Sequence, residues 1–276
     1  MSENSVSLLL RQNKSLIMGI INTTPDSFSD GGQFKLPLPA IEHGLRLIEQ
    51  GADILDIGGE STRPGAEKVS TEQELDRVLP VIEALVAQTN IPISIDTHKP
   101  EVMRAALAAG AQMINDVNGL RAEGAIAVAA EAMVPVCIMH MQGQPQTMQA
   151  RPQYQRVVDQ VMDFFKHRVD AAIEAGILVS DIILDPGIGF GKTLEHNLEL
   201  LNSISLMREN LGHQILIGVS RKSLIDTLLG RPVDKRLPAS LGLAVQAVLN
   251  GAKIIRVHDV RETFDAIRAV EAVRSR

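Results

Sequence analysis

Leu16-Ile17-Met18-Gly19-Ile20-Ile21-Asn22 runs directly into Thr23-Thr24-Pro25-Asp26-Ser27-Phe28-Ser29-Asp30-Gly31-Gly32. The first part is an unbroken apolar run that reads as a buried strand. The second part continues neither as strand nor as helix. Pro25 removes a backbone donor, the Asp, Ser and Thr side chains compete for backbone hydrogen bonds, and Gly31-Gly32 permits positive φ. Phe28 sits alone among these polar residues, where a plain connecting loop has little use for it. Taken singly, the segment is a solvated strand-to-helix loop. It gains weight because the same change from apolar run to polar turn repeats down the chain.

Eight short, β-branched apolar runs occur at residues 16–22, 52–60, 92–98, 113–117, 135–141, 182–188, 215–220 and 254–259. They lack clean alternation, as strands buried on both faces of a parallel sheet do. Helical patterns separate them, at residues 39–50, 70–88, 100–110, 123–133, 153–175, 193–208, 222–229, 238–250 and from 259 onward. Ser70 with Gln73 makes a capping box, Pro100 opens one helix and Gly110 closes it, Thr193 caps another, and Asp259 caps the last with Glu262 at its third position. Eight strands each followed by helix, in roughly 250 residues or a little more, is the arithmetic of an α/β (β/α)8 TIM barrel. A doubly wound open sheet is the structural alternative, but it calls for a Gly-rich phosphate turn after the first strand, and residues 22–32 are not one. Residues 1–276 therefore read as a single domain, with 1–15 a cover over the barrel's bottom and the first two βα loops mobile at its carboxyl face.

The 276 residues are 45% hydrophobic and 22% charged, ordinary globular usage, with a formal net charge of −6 and no charged tail. Nothing in that balance suggests broad nucleic-acid or membrane binding, so an anionic ligand has to be gripped by a local cluster of cations. The single cysteine, Cys137, lies in an apolar run; it permits no internal disulfide and fits the cytoplasm. No signal peptide and no stretch of about 18 apolar residues is recognisable. With six Phe, one Tyr, no Trp and ten Met, the core is aliphatic and filled by methionine.

A barrel places function at the carboxyl ends of its strands. Those ends carry Asn22; Asp56 to Pro64; Asp96, Thr97, His98 and Lys99; Asn115 and Asp116; Met139 and His140; Asp185; Ser220 to Ser223; and Arg256, Val257, His258 and Asp259. Unpaired charge inside a barrel costs several kcal/mol, so these groups are poor filler. Asp56, Glu60 and Asp116 suit either a structural carboxylate or a direct role; His98 suits a pocket rim and Asp259 a cap. Asp96, Asn115 and Asp185 converge on one mouth as acceptor-bearing groups, and Arg63, Lys222, Arg256 and His258 make an anion site. Two patterns mislead. Gly187-Ile188-Gly189-Phe190-Gly191-Lys192-Thr193 is one residue short of the phosphate-loop spacing. His98, His140 and His258 suggest zinc, yet the His-x-His after the first strand of metal-dependent hydrolase barrels is replaced by Asn22-Thr23-Thr24. Carboxylates and an amide suit a flat polar heterocycle with an amidine-like edge, which Asp185 can grip with two parallel bonds. The cations suit a diphosphate, and Asn22 offers an uncharged oxygen toward Mg2+ on it.

The motifs Met18 to Gly32, Gly58 to Gly65, Asn115-Asp116, Met139 to Gly143, Ile183 to Lys192, Ser220 to Ser223 and Arg256 to Asp259 resemble the bacterial dihydropteroate synthases, in order and over essentially the whole chain. The resemblance implies condensation of (7,8-dihydropterin-6-yl)methyl diphosphate with 4-aminobenzoate in folate synthesis, assisted by Mg2+ and open to sulfonamide inhibition. It implies that Asp96, Asn115, Asp185, Lys222 and Met139 hold the pterin, and that Asn22, Arg256 and His258 hold the diphosphate, with Asn22 also on the metal. Phe28, Thr62, Arg63, Pro64, Phe190 and Ser223 would shape the aminobenzoate site, and Asp30, Arg63 and Lys222 would be catalytic. It also implies a homodimer, with the later helices the suspected interface. One position departs: His98 stands where serine or tyrosine is more usual, which bears on the polarity of the rim.

Two other classes are set aside by residues that are present, since both diagnostic loops and the full set of four residues stand in the chain. A cobalamin-dependent methyltransferase with a pterin-binding barrel would share the pterin residues but lack the Thr-Pro-Asp-Ser-Phe and Ser-Thr-Arg-Pro-Gly loops. A non-catalytic binding paralogue would have lost part of the set Asn22, Arg63, Lys222 and Arg256.

Overall fold

The computed structural model describes residues 4–24, 37–62, 65–144 and 147–274. The eight strands are β1 (Leu16–Asn22), β2 (Ile54–Gly58), β3 (Ile93–Asp96), β4 (Met113–Asp116), β5 (Val136–Met139), β6 (Ile182–Asp185), β7 (Gln214–Ile217) and β8 (Ile254–Val257). They pair in chain order, all parallel, and β8 returns to β1 to close a barrel. Among the described residues the helices are α1 (Ser5–Leu10), α2 (Leu38–Glu49), α3 (Thr71–Val86), α4 (Pro100–Ala108), α5 (Ala125–Ala132), α6 (Val157–Glu174), α7 (Leu194–Asn202), α8 (Ile204–Leu211), α9 (Ser223–Leu229), α10 (Leu237–Leu249) and α11 (Val260–Arg274).

Strand periodicity explains how a barrel of apolar runs acquires a polar end. Alternate residues face the same side, so Ile54 is followed inside by Asp56, Met113 by Asn115, Cys137 by Met139, Ile183 by Asp185, and Ile254 by Arg256. The lower members form an apolar plug of Leu16, Met18, Ile54, Met113, Cys137, Ile183, Leu216 and Ile254. Val6 and Leu10 of α1 close that plug from below, each contributing roughly 1.5–3 kcal/mol by burial. The outward residues pack against the helices in a second, larger apolar layer that includes Ile17, Ile21, Leu55, Ile57, Ile95 and Phe165.

Most of the expected boundaries shift, several for identifiable reasons. The runs at 52–60, 92–98, 182–188 and 215–220 leave the sheet early, at Gly58, Asp96, Asp185 and Ile217, because their last residues turn over the mouth. The pattern at 193–208 is two helices. Asn250 donates its side-chain N–H to Leu201 O at 2.9 Å, occupying a carbonyl near the end of α7, and the chain bends at Ser203. The helix expected from 153 begins at Val157, because Gln142 pairs twice with the backbone of Gln153 and holds it off the helix axis. The capping boxes at Ser70 and Thr193 both form, the second closed by His196.

Candidate active site

The polar ring above the plug is tied together by Arg256. Its Nε donates to Asp56 Oδ2 at 2.6 Å and its Nη2 to Asp96 Oδ2 at 2.6 Å. One guanidinium thus bridges β8 to β2 and β3 in a site where all three groups are largely out of water. Asp56 is fully buried and also accepts from Asn115 Nδ2 at 3.0 Å, while its Oδ1 has no partner among the described residues. Burial pushes the Asp96 carboxyl up to about 7, with Arg256 pulling the other way. Both carboxylates and the amide meet at the carboxyl ends of β2, β3 and β4, where the arrangement combines acceptors, an amide and a neutralising cation.

Asp185, at the end of β6, accepts from Gly187 N at 2.7 Å, and burial raises its carboxyl above the ordinary range. Met139, its register partner on β5, lies buried with Val117, Met141 and Met148, and Phe190 packs on that cluster. Lys222 donates to Ile188 O at 2.8 Å and stands 4.2 Å from the centre of the Phe190 ring, a cation–π distance. Burial lowers Lys222 to about 8. The preceding residue, Arg221, has φ +56°, a conformation uncommon outside glycine. Its guanidinium is held outside the mouth by both oxygens of Asp259, at 2.9 and 2.5 Å. The expected cap residue Asp259 therefore orients Arg221, and the twist at Arg221 turns Lys222 inward.

His258 meets Ser220, donating its backbone N–H to Oγ at 3.2 Å with Nδ1 3.0 Å from the same oxygen. Asn22 ends β1 beside Gly58, and Thr23 continues the pairing through Gly58 O. Ser223, first residue of α9, is exposed at the rim, and Thr62 is half-buried. Phe28, Asp30, Arg63 and Pro64 lie outside the described residues.

Two of the open carboxylates and the lone cysteine have structural settings. Asp116 accepts from Asn118 N and Leu120 N at 2.7 and 2.8 Å, which makes it the organiser of the β4 turn. Glu60 accepts from Val69 N and from Lys99 Nζ, and His98 stands 3.9 Å from it at the rim. Cys137 is fully buried in the plug, where burial pushes its thiol well above the usual range.

Sequence reasoning missed two supports. Lys99 Nζ also reaches the fully buried Glu74 Oε2 at 2.5 Å, fixing α3 under the second βα loop. The signal was present, because Glu74 occupies the same helix face as Val78 and Val81, where a carboxylate demands a partner. The second is Lys192, dismissed with the failed phosphate-loop pattern. It is almost fully buried, and burial lowers it to about 7. At the other end of the barrel a cleft of 1330 Å³ lies between the α1 segment, α8 and α11. Its cations serve the fold: Lys14 pairs with Asp53 at 2.6 Å, Arg268 with Glu271 at 2.6 Å, and Lys253 holds the carbonyl of Lys14 at 2.7 Å.

A closed parallel barrel whose carboxyl mouth carries buried acceptors, an amide and inward cations defines a barrel enzyme for a polar heterocycle. The family model described as pterin binding enzyme matches residues 18–258. The dihydropteroate synthase of Escherichia coli (strain K12) is 49% identical over 259 residues, covering 94% of this chain and 92% of that one. Dihydropteroate synthase from Xanthomonas albilineans with 4-aminobenzoic acid superposes with a TM-score of 0.91 at 50% identity, covering 96% of this chain and 94% of that one. The Yersinia pestis enzyme with a sulfonamide drug gives 0.90 at 46% identity, with 95% of each chain covered. The chain belongs to the pterin-binding enzymes, and within them to the dihydropteroate synthases. Among the described residues no helix is long and apolar enough to cross a membrane.

Proposed function

We propose the following reading of the mouth: it condenses (7,8-dihydropterin-6-yl)methyl diphosphate with 4-aminobenzoate, giving 7,8-dihydropteroate and diphosphate in folate synthesis. The observation that carries it is the grouping of buried Asn115 and Asp185 with half-buried Asp96 on strand ends, beside an aryl wall of Phe190 topped by Lys222. Asp185 suits the amidine-like edge of a pterin, and Asp96, Asn115, Met139 and Lys222 complete that seat. The 4-aminobenzoate seat is assigned to Thr62, Phe190 and Ser223, together with Phe28, Arg63 and Pro64. Asp30 is assigned to the first loop as it covers the bound pair. The same seat receives sulfonamides in competition.

Diphosphate departure requires neutralisation of developing charge. Arg256 spends two of its five N–H donors on Asp56 and Asp96, which leaves three for the diphosphate, with His258 alongside. Mg2+ fits this site on one condition. The described residues hold no cluster of three His, Cys, Asp or Glu suited to a metal, so substrate oxygens and water supply most of its ligands and Asn22 one uncharged oxygen. When bound, the ion supplies Lewis-acid stabilisation of the leaving diphosphate. The electron-rich pterin shares the positive charge left on its methylene, and the aryl amine is a neutral nucleophile at pH 7. The site therefore needs no nucleophile–base pair of the hydrolase kind. Covering loops exclude water, which would compete for the same carbon.

A diphosphate-release assay tests the whole reading. Release is expected only with 4-aminobenzoate present, stimulated by Mg2+ and suppressed by a sulfonamide; release without 4-aminobenzoate would sink it. The enzyme is read as one cytoplasmic barrel domain over residues 1–276 and as a homodimer. The exposed apolar side chains Leu228, Leu229, Val233 and Leu249 around α9 and α10 support that last assignment. Sedimentation would check it, and a monomer at micromolar concentration would reject it.

A further inference from the structure

Lys192 follows directly on the turn that carries Phe190, and its buried ammonium lies against the carbonyls of that turn and of β5's end. Nζ donates to Phe190 O at 2.9 Å and to His140 O at 3.3 Å, and it lies 3.1 Å from His140 Nδ1. His140 in turn donates its backbone N–H to Asp185 O at 2.9 Å, so one residue pair stitches the end of β5 to the end of β6. The fit leaves no room. A Cβ on Gly187 would stand 2.0 Å from His140 O, and one on Gly191 2.5 Å from Gln142 O. The imidazole is seated edge-on against Phe164, ring centres 4.9 Å apart, and Tyr154 donates its O–H to Gly191 O at 3.0 Å. Burial holds His140 down to about 3, so its imidazole is neutral at pH 7 beside the Lys192 amine. Seen from the mouth, the turn is gripped by a second lysine: Lys222 donates to Ile188 O and stands over Phe190.

We propose that Lys192 is a positioning residue which, through the carbonyls of Phe190 and His140, sets the turn at 187–190 against the end of β5 and so fixes where the Phe190 ring and the aryl substrate against it sit. The pterin seat stands mainly on strand ends and meets this turn through Gly187 N on Asp185, through Lys222 on Ile188 O and through Met139 against Phe190. The aminobenzoate seat uses its Phe190 ring. Loss of the clamp therefore acts on the second substrate and on turnover before it acts on the first. A role confined to stability would instead lower folding without dividing the two substrates.

The test is steady-state kinetics and pterin calorimetry on Lys192→Met, which keeps the length and removes the donors. The inference rests on the reaction proposed above, and diphosphate release by the wild type, absent if that reading fails, separates the two failures. The expected result is a rise of about tenfold in KM for 4-aminobenzoate with a fall in kcat, while the pterin diphosphate Kd stays within about twofold. Should Lys192→Met not fold, Tyr154→Phe removes only the bond to Gly191 O and decides alone, with an expected two- to threefold rise in the same KM, about that size. An unchanged KM for 4-aminobenzoate with kcat and Tm falling together overturns the proposal, as does an equal loss of pterin affinity.

Discussion

Arg256 and Asp56 face each other across the mouth at 2.6 Å, Nε to Oδ2, and the other side of the same guanidinium holds Asp96. The sequence placed Arg256 in an anion site. There it also pairs with the carboxylates of Asp56 and Asp96, and an incoming diphosphate has to share it with them.

Replacing Arg256 by Met should strand both carboxylates. The expected loss is about 3–5 kcal/mol of stability at pH 8, the usual cost of orphaning a buried charge. Burial makes the folded protein bind the Asp96 proton more tightly than the unfolded chain does. That contribution is full below the ordinary value of 3.8 and is lost as pH rises through about 7. The deficit of Arg256→Met should accordingly shrink at pH 5. Urea melts at the two pH values check it, and an equal deficit at both would show that Asp96 is not the stranded group.

Asp185→Asn keeps an oxygen for Gly187 N and removes the charge. Pterin affinity should fall by about 10- to 100-fold, the equivalent of 1.5–3 kcal/mol for a charged hydrogen bond, while Tm moves by only a few degrees. Calorimetry with a pterin ligand reads the first quantity and a thermal melt the second. Unaltered affinity removes Asp185 from the pterin seat.

Lys222 is lowered to about 8 by burial, so its charge disappears as pH rises through that value. The pH profile of kcat/KM for the pterin diphosphate should show a falling limb near 8. In Lys222→Arg the guanidinium stays charged, and the limb should move beyond about pH 10 even though the rate is lower. A limb that stays at 8 in the variant belongs to another group.

Lys99→Met should leave Glu74 buried without a partner and cost about 3–5 kcal/mol, far more than an exposed ion pair is worth. Adding Glu74→Gln to the same chain should return part of the loss. A double-mutant cycle by chemical denaturation gives the coupling, and additive losses would mean that the two residues act independently.

The strands were legible because burial on both faces leaves a sequence mark that no partner can alter. The strand ends were legible because charge at the end of an apolar run has no other explanation inside a barrel. Pairings were not. Nothing near Arg256 in the chain announces Asp56 or Asp96, which lie 200 and 160 residues away. Asn250 breaks the helix at Ser203 from 49 residues beyond the carbonyl it occupies, so helical periodicity alone joined α7 to α8. Lys192 was set aside for failing a motif, when its glycine-rich surroundings mark a turn pressed against another backbone.

The α1 segment stops the barrel from below, with Val6 and Leu10 sealed against the plug. Among the described residues the barrel is closed at that end, and the carboxyl mouth is the way in. On the proposed assignment the pterin lies on the strand ends and 4-aminobenzoate nearer the threshold, so the pterin has to enter first. An aryl ligand that arrives early bars the way to the deeper seat and waits in the wrong place in the queue.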